Sequence, residues 1–347
     1  MPPPSTPRTT DVRLVEVTRG DLVESEHYGA IAVARSDGSL WTAGEVDRPV
    51  WTRSAIKPLQ ALPLLRDGIA DRLGLSDEEI ALTCASHDGT DLHVATARAL
   101  LARGGLVEDA LGCGPHAPFD RAAGLDLARS GGKPQRVHNN CSGKHAGFLL
   151  LAQSLGQDLR TYLDPHGPSQ SQVRAVVAEF ADLAPDAIPL AIDGCGAPTM
   201  AMPLTALARA FLRFVNPTGG ESVSQRACSR ILHAVAQAPE HLGGRGRLGT
   251  LCAQTAPGRV IAKNGAEGVY VVGGRGRRGA FGVALKVRDG QERAVAPVVV
   301  ELLRRLGLWE GDAAPPAFAE HARPRILNTN KLPVGEVRLT VELPSWS

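Results

Sequence analysis

The feature that most limits the fold is the order of hydrophobic periodicities along the chain. Strand-type segments lie at both ends, and helix-type segments are massed between them. Val12–Val17 alternates apolar and polar residues, as a half-buried strand does. Ala30–Ala34 and Leu40–Ala43 flank Ser36-Asp37-Gly38-Ser39, whose Asp-Gly step suits a hairpin turn. Helices are predicted over Leu59–Leu65, Leu92–Ala102, Lys144–Leu155, Ser171–Leu183, Pro203–Phe214 and Ser222–Ala236. Gly104-Gly105 stops the second of these, and the breaker Pro168 precedes the fourth. Ile80–Cys84 and Ile188–Ile192 read as short strands. Beyond the glycine-rich stretch Gly243–Gly249, strands are expected at Val260–Ala262, Val269–Val272 and Phe281–Val287. Asp289-Gly290 then turns into a helix over Val295–Leu306, and the linker Ala313–Ala317 leads to a last strand, Val337–Leu343. This order predicts an α+β (mixed α/β) protein with an antiparallel sheet built from both chain ends and a helical portion between.

Residues 1–10, MPPPSTPRTT, have no apolar run and are expected to form a flexible tail, not an export signal. Residues 11–347 read as one domain, at most two packed subdomains, because no linker splits them and no repeat of fixed period is visible. Lys plus Arg number 38 and Asp plus Glu 36, a net charge of only +2. With no basic run, the chain is not expected to bind nucleic acid or an anionic membrane. Apolar runs such as Phe148–Ala152 fall far short of the ~20 residues a bilayer span needs. Six cysteines without a CxxC pair suit neither a disulfide scaffold nor a zinc finger. Reduced thiols and a cytoplasmic location are the expectation.

Only six of the 38 basic residues are lysines: 57, 133, 144, 263, 286 and 331. Arginine supplies a solvated charge equally well, but a desolvated lysine can lose its proton and act as a base. A lysine kept in an arginine-dominated chain is therefore a candidate for chemistry.

Five polar segments interrupt apolar elements with reactive side chains: 53–58 (RSAIKP), 84–89 (CASHDG), 138–145 (HNNCSGKH), 193–198 (DGCGAP) and 263–268 (KNGAEG). In the first, Ser54 and Lys57 are three apart, so on a helical turn the amine lies on the hydroxyl's face and a neutral amine could take its proton. Pro58 disfavours helical geometry at Lys57 and is expected to start the helix only after it. In the second, Ser86, His87 and Asp88 imitate a catalytic triad, but adjacent side chains do not converge on one point. A strand ending at Cys84 that delivers Ser86 is the better reading, with His87 and His93 as hydrogen-bonded local structure. In the third, Cys141 and Lys144 open a helix, and Asn139 and Asn140 could bond an amide. Cys195 sits in a Gly-flanked turn. Two thiols without a His or carboxylate partner read, by themselves, as small buried residues and not as zinc ligands.

Taken together, RSAIKPLQ (53–60), CASHDG (84–89) with His93, CGPHAP (113–118), HNNCSGKHAG (138–147), DGCGAP (193–198), KNGAEGV (263–269) and GVALKVRDG (282–290) resemble the bacterial L-asparaginase II family of the Rhizobium etli type. The resemblance runs from about Leu14 to Leu339. It implies hydrolysis of L-asparagine to L-aspartate and ammonia, on a serine β-lactamase/glutaminase-like fold, in a homodimer. It implies two Ser-Lys tandems, Ser54 with Lys57 and Ser86 with Lys263, and a zinc site near the substrate pocket at Cys141, Lys144 and Cys195. It places Arg53, His87, Asn140, Asp193 and Gly265 around the substrate and calls for no organic cofactor. Two positions depart from the family pattern: Gly249 stands where an acidic residue is usual, and Asn264 where a Thr or apolar residue is. The expected mechanism is attack by Ser54 on the carboxamide carbon. Lys57, helped by Ser86 and Lys263, moves the proton to departing ammonia, and water then resolves the acyl-enzyme. The rival readings are a penicillin-recognising serine hydrolase, a metallohydrolase with zinc-bound water, and a non-catalytic homologue that binds an amino acid or zinc.

Overall fold

The computed structural model describes residues 10–216 and 222–346. The predicted tail therefore lies, except for residue 10, outside the described residues. The N-terminal part supplies β1 (Val12–Arg19), β2 (Leu22–Arg35) and β3 (Leu40–Ala43), and the C-terminal part supplies β7 (Val260–Asn264), β8 (Val269–Gly276), β9 (Gly279–Val287), β10 (Arg325–Leu327) and β11 (Pro333–Leu339). They form one sheet in the order β10-β11-β1-β2-β9-β8-β7, with β3 on β2, and every pairing is antiparallel. A small second sheet joins β4 (Val50–Trp51), β6 (Pro198–Met202) and β5 (Leu190–Ile192). The sheet assembled from both chain ends is thus present, and β2 facing β9 joins the two halves.

Among the described residues, nine helices lie between the strand groups: α1 (Lys57–Arg66), α2 (Ile69–Arg72), α3 (Asp77–Thr83), α4 (Asp91–Arg103), α5 (Arg121–Arg129), α6 (Ser142–Ser154), α7 (Pro168–Ala181), α8 (Leu204–Val215) and α9 (Val223–Gln237). Three more, α10 (Leu248–Thr255), α11 (Val295–Arg305) and α12 (Ala319–Ala322), belong to the C-terminal part. The centre of the main sheet, the second half of β2 with β9 and β8, is buried on both faces. Along β2, Ala30, Ala32 and Ala34 join the core under the central helices, while Ile31 and Val33 join the core under α11. Burial on both faces explains why these strands read as near-continuous apolar runs.

The face toward the central helices carries small residues, and α8 lies directly on it. A Cβ at Gly282 would come within 1.9 Å of the Ala208 carbonyl oxygen. Gly282→Val is therefore expected to cost about 3 kcal/mol or more by overpacking, read as a lower urea midpoint. An unchanged midpoint would mean that α8 can lift off the sheet freely.

Three expectations need correction. Ile80–Cys84 is not a strand. It falls in and just after α3, whose start is fixed by a capping box: Ser76 Oγ accepts from the Glu79 N–H, and the Glu79 carboxylate accepts from the Ser76 N–H. That S-x-x-E pattern is a helix-start signal and outweighs the short apolar run. Pro58 does not delay its helix. A 3₁₀ turn over Arg53–Ile56 leads into α1 at Lys57, with Pro58 in the first helical turn, where an N–H would have had no partner. The last strand runs over Pro333–Leu339, earlier than predicted, and pairs Val15 with Leu339.

Candidate active site

Three loops and two helix starts converge where α1, α6 and the edge strand β7 meet. The loop after α3 brings Ser86 inward and is held from both sides: the Ser86 and Asp88 N–H groups donate to the carbonyls of Leu242 and Gly243, and the His87 N–H donates to that of Asn140. The buried Lys57 amine lies 2.5 Å from the Ala85 carbonyl, 3.0 Å from Ser86 Oγ and 3.1 Å from Cys141 Sγ. From β7, the Lys263 amine reaches the same Ser86 Oγ at 2.9 Å and lies 2.7 Å from Asn264 Oδ1 and 2.9 Å from the Asn264 carbonyl. Lys57, Ser86 and Lys263 therefore form one continuous chain.

Counting donors assigns the protons. Lys57 meets four acceptors, the Asn140 carbonyl at 3.4 Å being the fourth, which suits an ammonium. Lys263 meets two oxygens that can only accept, plus Ser86 Oγ, whose own hydrogen needs a partner. A neutral Lys263 satisfies all of these, giving two hydrogens to Asn264 and taking the Ser86 O–H on its lone pair. Electrostatics agrees: burial, then the Lys57 charge, pushes the Lys263 pKa well below the ordinary lysine value. Burial lowers Lys57 as well, and the Cys141 charge opposes that shift.

Ser54 is placed differently. It sits half-buried in the 3₁₀ turn, directly after Arg53, whose φ of 49° lies in the left-handed region. Such a conformation in a bulky residue is strained and clusters at functional sites. The Ser54 hydroxyl makes no hydrogen bond among the described residues, and the Lys57 amine is turned to Ser86 instead. The turn nevertheless adjoins the cluster: a Cβ at Gly265, two residues beyond Lys263, would come within 2.7 Å of the Thr52 carbonyl oxygen and 3.3 Å of Ala55 Cβ.

Beyond Lys57 lies a buried sulfur group. Lys144 Nζ is 3.2 Å from Cys195 Sγ, and Cys195 lies close enough to Cys141 for the two thiols to shift each other's protonation. The neighbouring Cys195 thiol, with Lys57 and Lys144 nearby, holds the Cys141 pKa well below the usual thiol value, while the Cys141 sulfur and burial raise that of Cys195. Burial works against the Lys144 charge, but the two sulfurs outweigh it and raise its pKa. Among the described residues, no three His, Cys, Asp or Glu side chains gather closely enough to hold a metal. A metal ion at this point would have to draw on Lys144 as well as the thiols. Two sulfurs and one nitrogen are donors that zinc accepts, and three protein ligands leave a fourth position open. The two sulfurs fit such an ion; Lys144, held protonated here, fits only after giving up its proton. Asp193 flanks the group; Arg53 donates to its Oδ1 at 2.8 Å. Burial would raise the Asp193 pKa, but Lys144 and Arg53 outweigh it and bring it below the usual carboxylate value.

His87 and Asn140 adjoin the cluster through their backbones. The His87 Nδ1 accepts from the Gly89 N–H, so Nε2 carries the hydrogen and donates to Ser142 Oγ at 2.9 Å. Burial first, then His93 and Lys57, hold its pKa well below the usual imidazole value. Asp88 bonds Arg247 through Nε at 3.0 Å. His87 and Asp88 thus turn to separate partners, and the contiguous triad is absent. Asn139 caps the turn, taking the Cys141 N–H on Oδ1, whereas the Asn140 side chain has no partner among the described residues.

A cavity of about 330 Å³ opens from this cluster along β7. Of the predicted site residues, Ser86, Lys263 and Gly265 line it, and Ser54, Lys57, Arg53, His87, Asn140, Asp193 and the sulfur group do not. Its lining also includes Arg247, Thr250, Tyr270 and Glu292, none of which sequence reasoning singled out. One available signal was the buried Asp88, a carboxylate that needs a cation, close in space to the glycine-rich stretch that carries Arg247.

A family model described as L-asparaginase II matches residues 15–339. A comparison with curated protein sequences finds no match. Among solved structures, the chain is similar to Mglu in its tris and glutamate form at 16% identity and a TM-score of 0.44, covering 87% of this chain and 65% of that one. It is also similar to a probable glutaminase from Bacillus subtilis complexed with 6-diazo-5-oxo-L-norleucine, at 12% identity and a TM-score of 0.40, covering 82% of this chain and 85% of that one. The chain thus spans just under two thirds of the length of Mglu. Likenesses this distant carry no argument about chemistry.

Proposed function

The chain belongs to the L-asparaginase II family, and on that premise we propose that this amidohydrolase converts L-asparagine and water to L-aspartate and ammonia through its two Ser-Lys pairs. The observation that carries the reading is the pair of amines on Ser86 Oγ, Lys57 at 3.0 Å and Lys263 at 2.9 Å. One is supplied with acceptors as an ammonium and the other is depressed toward neutrality. Such a chain can take up one proton and give out another, which amide cleavage requires.

Ser54, on its strained turn and with a free hydroxyl, attacks the carboxamide carbon. Its proton passes to Ser86 Oγ while the Ser86 proton moves to neutral Lys263. Lys57 donates a proton to the departing nitrogen, so the C–N bond breaks and ammonia leaves. Lys263 returns its proton to Lys57 through Ser86. Water then repeats the sequence on the acyl-enzyme, releasing aspartate and restoring Ser54. Asp193, the Asn140 carboxamide, Arg53, His87 and Gly265 shape the surroundings of this centre. A second reading, attack by Ser86 itself, is favoured by one observation: Ser86 lines the cavity and Ser54 does not.

Zinc held by Cys141, Lys144 and Cys195 would supply a cation that orders the pocket and orients the substrate. The serine chemistry does not pass through it. Chelation is therefore expected to raise KM for asparagine severalfold and to leave kcat within about threefold, because orientation is lost but the proton relay remains. Complete loss of turnover on chelation, with activity surviving serine replacement, would favour zinc-bound water instead. We further propose a cytoplasmic homodimer. Among the described residues, no helix is long and apolar enough to cross a membrane.

The reading is tested by coupled ammonia release with asparagine, glutamine and a β-lactam. Release from asparagine, with no stable acylation by the β-lactam, is the expected result. Acylation by the β-lactam with indifference to asparagine would replace the reading by a penicillin-recognising hydrolase. Asparagine binding in calorimetry without ammonia release would replace it by a non-catalytic binding protein.

A further inference from the structure

The cavity beside Ser86 carries one arginine and, among its described lining residues, one carboxylate: Arg247 and Glu292. Arg247 is fixed in place. Its Nε and Nη2 donate to Asp88, a carboxylate only 8% exposed and two residues beyond Ser86. This leaves Nη1 without a partner among the described residues. The carboxylate of Glu292, in the 3₁₀ turn Glu292–Ala294 before α11, has no hydrogen bond or ion pair among them either. The two charges do not pair with each other; the Asp88 hydrogen bonds, and more weakly the Glu292 charge, raise the pKa of the guanidinium. Ser86 and Lys263 line the same cavity.

We infer that Arg247 and Glu292 receive the α-carboxylate and α-ammonium of the amino-acid substrate, with its carboxamide directed toward Ser86 and Lys263. This rests on the amidohydrolase reading and adds the source of its selectivity for a zwitterion. A fixed guanidinium with one free N–H edge suits a carboxylate, and the buried Asp88 behind it makes the orientation rigid. An unpaired carboxylate close by, but not in contact, leaves room for an ammonium between the two. The α-groups would then be read at the cavity, apart from the Arg53–Asp193 pair, whose members already satisfy each other at 2.8 Å.

The test compares three amides of equal reach: L-asparagine, succinamate (which lacks the α-ammonium) and 3-aminopropanamide (which lacks the α-carboxylate). Glu292→Gln is expected to lower the preference for asparagine over succinamate by about tenfold or more in kcat/KM, mainly through KM. Arg247→Lys keeps a cation for Asp88 and is expected to lower the preference for asparagine over 3-aminopropanamide by a similar factor. Wild-type turnover of asparagine with both ratios unchanged in the variants would overturn the inference and leave the amidohydrolase reading intact. No asparagine turnover by the wild type would overturn the reading itself, and this inference with it.

Discussion

Replacing Ser54 by alanine is expected to lower kcat for asparagine by at least about 10⁴-fold, because removing the nucleophile of a serine hydrolase leaves only positioning and electrostatic stabilisation. The structure makes the experiment clean. The Ser54 hydroxyl bonds nothing among the described residues, so the alanine variant loses no hydrogen bond of the fold and should melt within a degree or two of the wild type. Ser86→Ala is expected to act differently. It removes the oxygen that both lysines share, breaking the relay and leaving the Lys57 and Lys263 amines to face each other across the gap. Its kcat should fall by about 10²–10⁴-fold, the range of a lost acid–base partner. Under the second reading the two variants would exchange these effects.

Replacing Lys263 by methionine should also lower kcat by about 10²–10⁴-fold, and it should stabilise the protein while doing so. Burial holds the folded-state pKa of Lys263 well below the ordinary lysine value of 10.5. Between that depressed value and 10.5, the unfolded chain binds a proton that the folded amine refuses. Wild-type stability therefore rises with pH across that window, and at neutral pH the buried amine is a net cost. Methionine fills a similar volume without that cost, so Lys263→Met should raise Tm near pH 7 and flatten the climb in stability toward pH 10. The alkaline rise of wild-type kcat/KM should begin well below the ordinary lysine range and disappear in the variant. A Tm that falls together with activity would mean that Lys263 is charged and structural.

Sequence patterning conveyed the sheet well because its strands carry their own markers. Asp37-Gly38 closes the β2–β3 hairpin, with Gly38 at a φ of 87°. The small-residue face of β2 and β9 was less legible, since alanine and glycine runs give no period. The α3 helix was misread because its apolar residues are few and its capping box lies upstream of them. At the site, the scarcity of lysine pointed to Lys57, Lys144 and Lys263, and all three are buried in or beside the cluster. What the spacing did not convey was pairing. Ser54 and Lys57 are three apart, which suggested a direct contact, but the amine is drawn to the Ala85 carbonyl, Ser86 and Cys141, three acceptors supplied by distant segments. Arg247 and Glu292 were invisible for the same reason: nothing near them in sequence marks a cavity that α10, the start of α11 and β7 line together.

The most direct measurement is covalent trapping with a diazoketone analogue of asparagine, which alkylates the attacking oxygen with loss of nitrogen gas, followed by peptide mapping. The account predicts one equivalent of adduct on Ser54, absent from Ser54→Ala and suppressed by prior asparagine. An adduct on Ser86 would move the attack to the second tandem. Labelling of Cys141 or Cys195, with both serines untouched, would contradict the account.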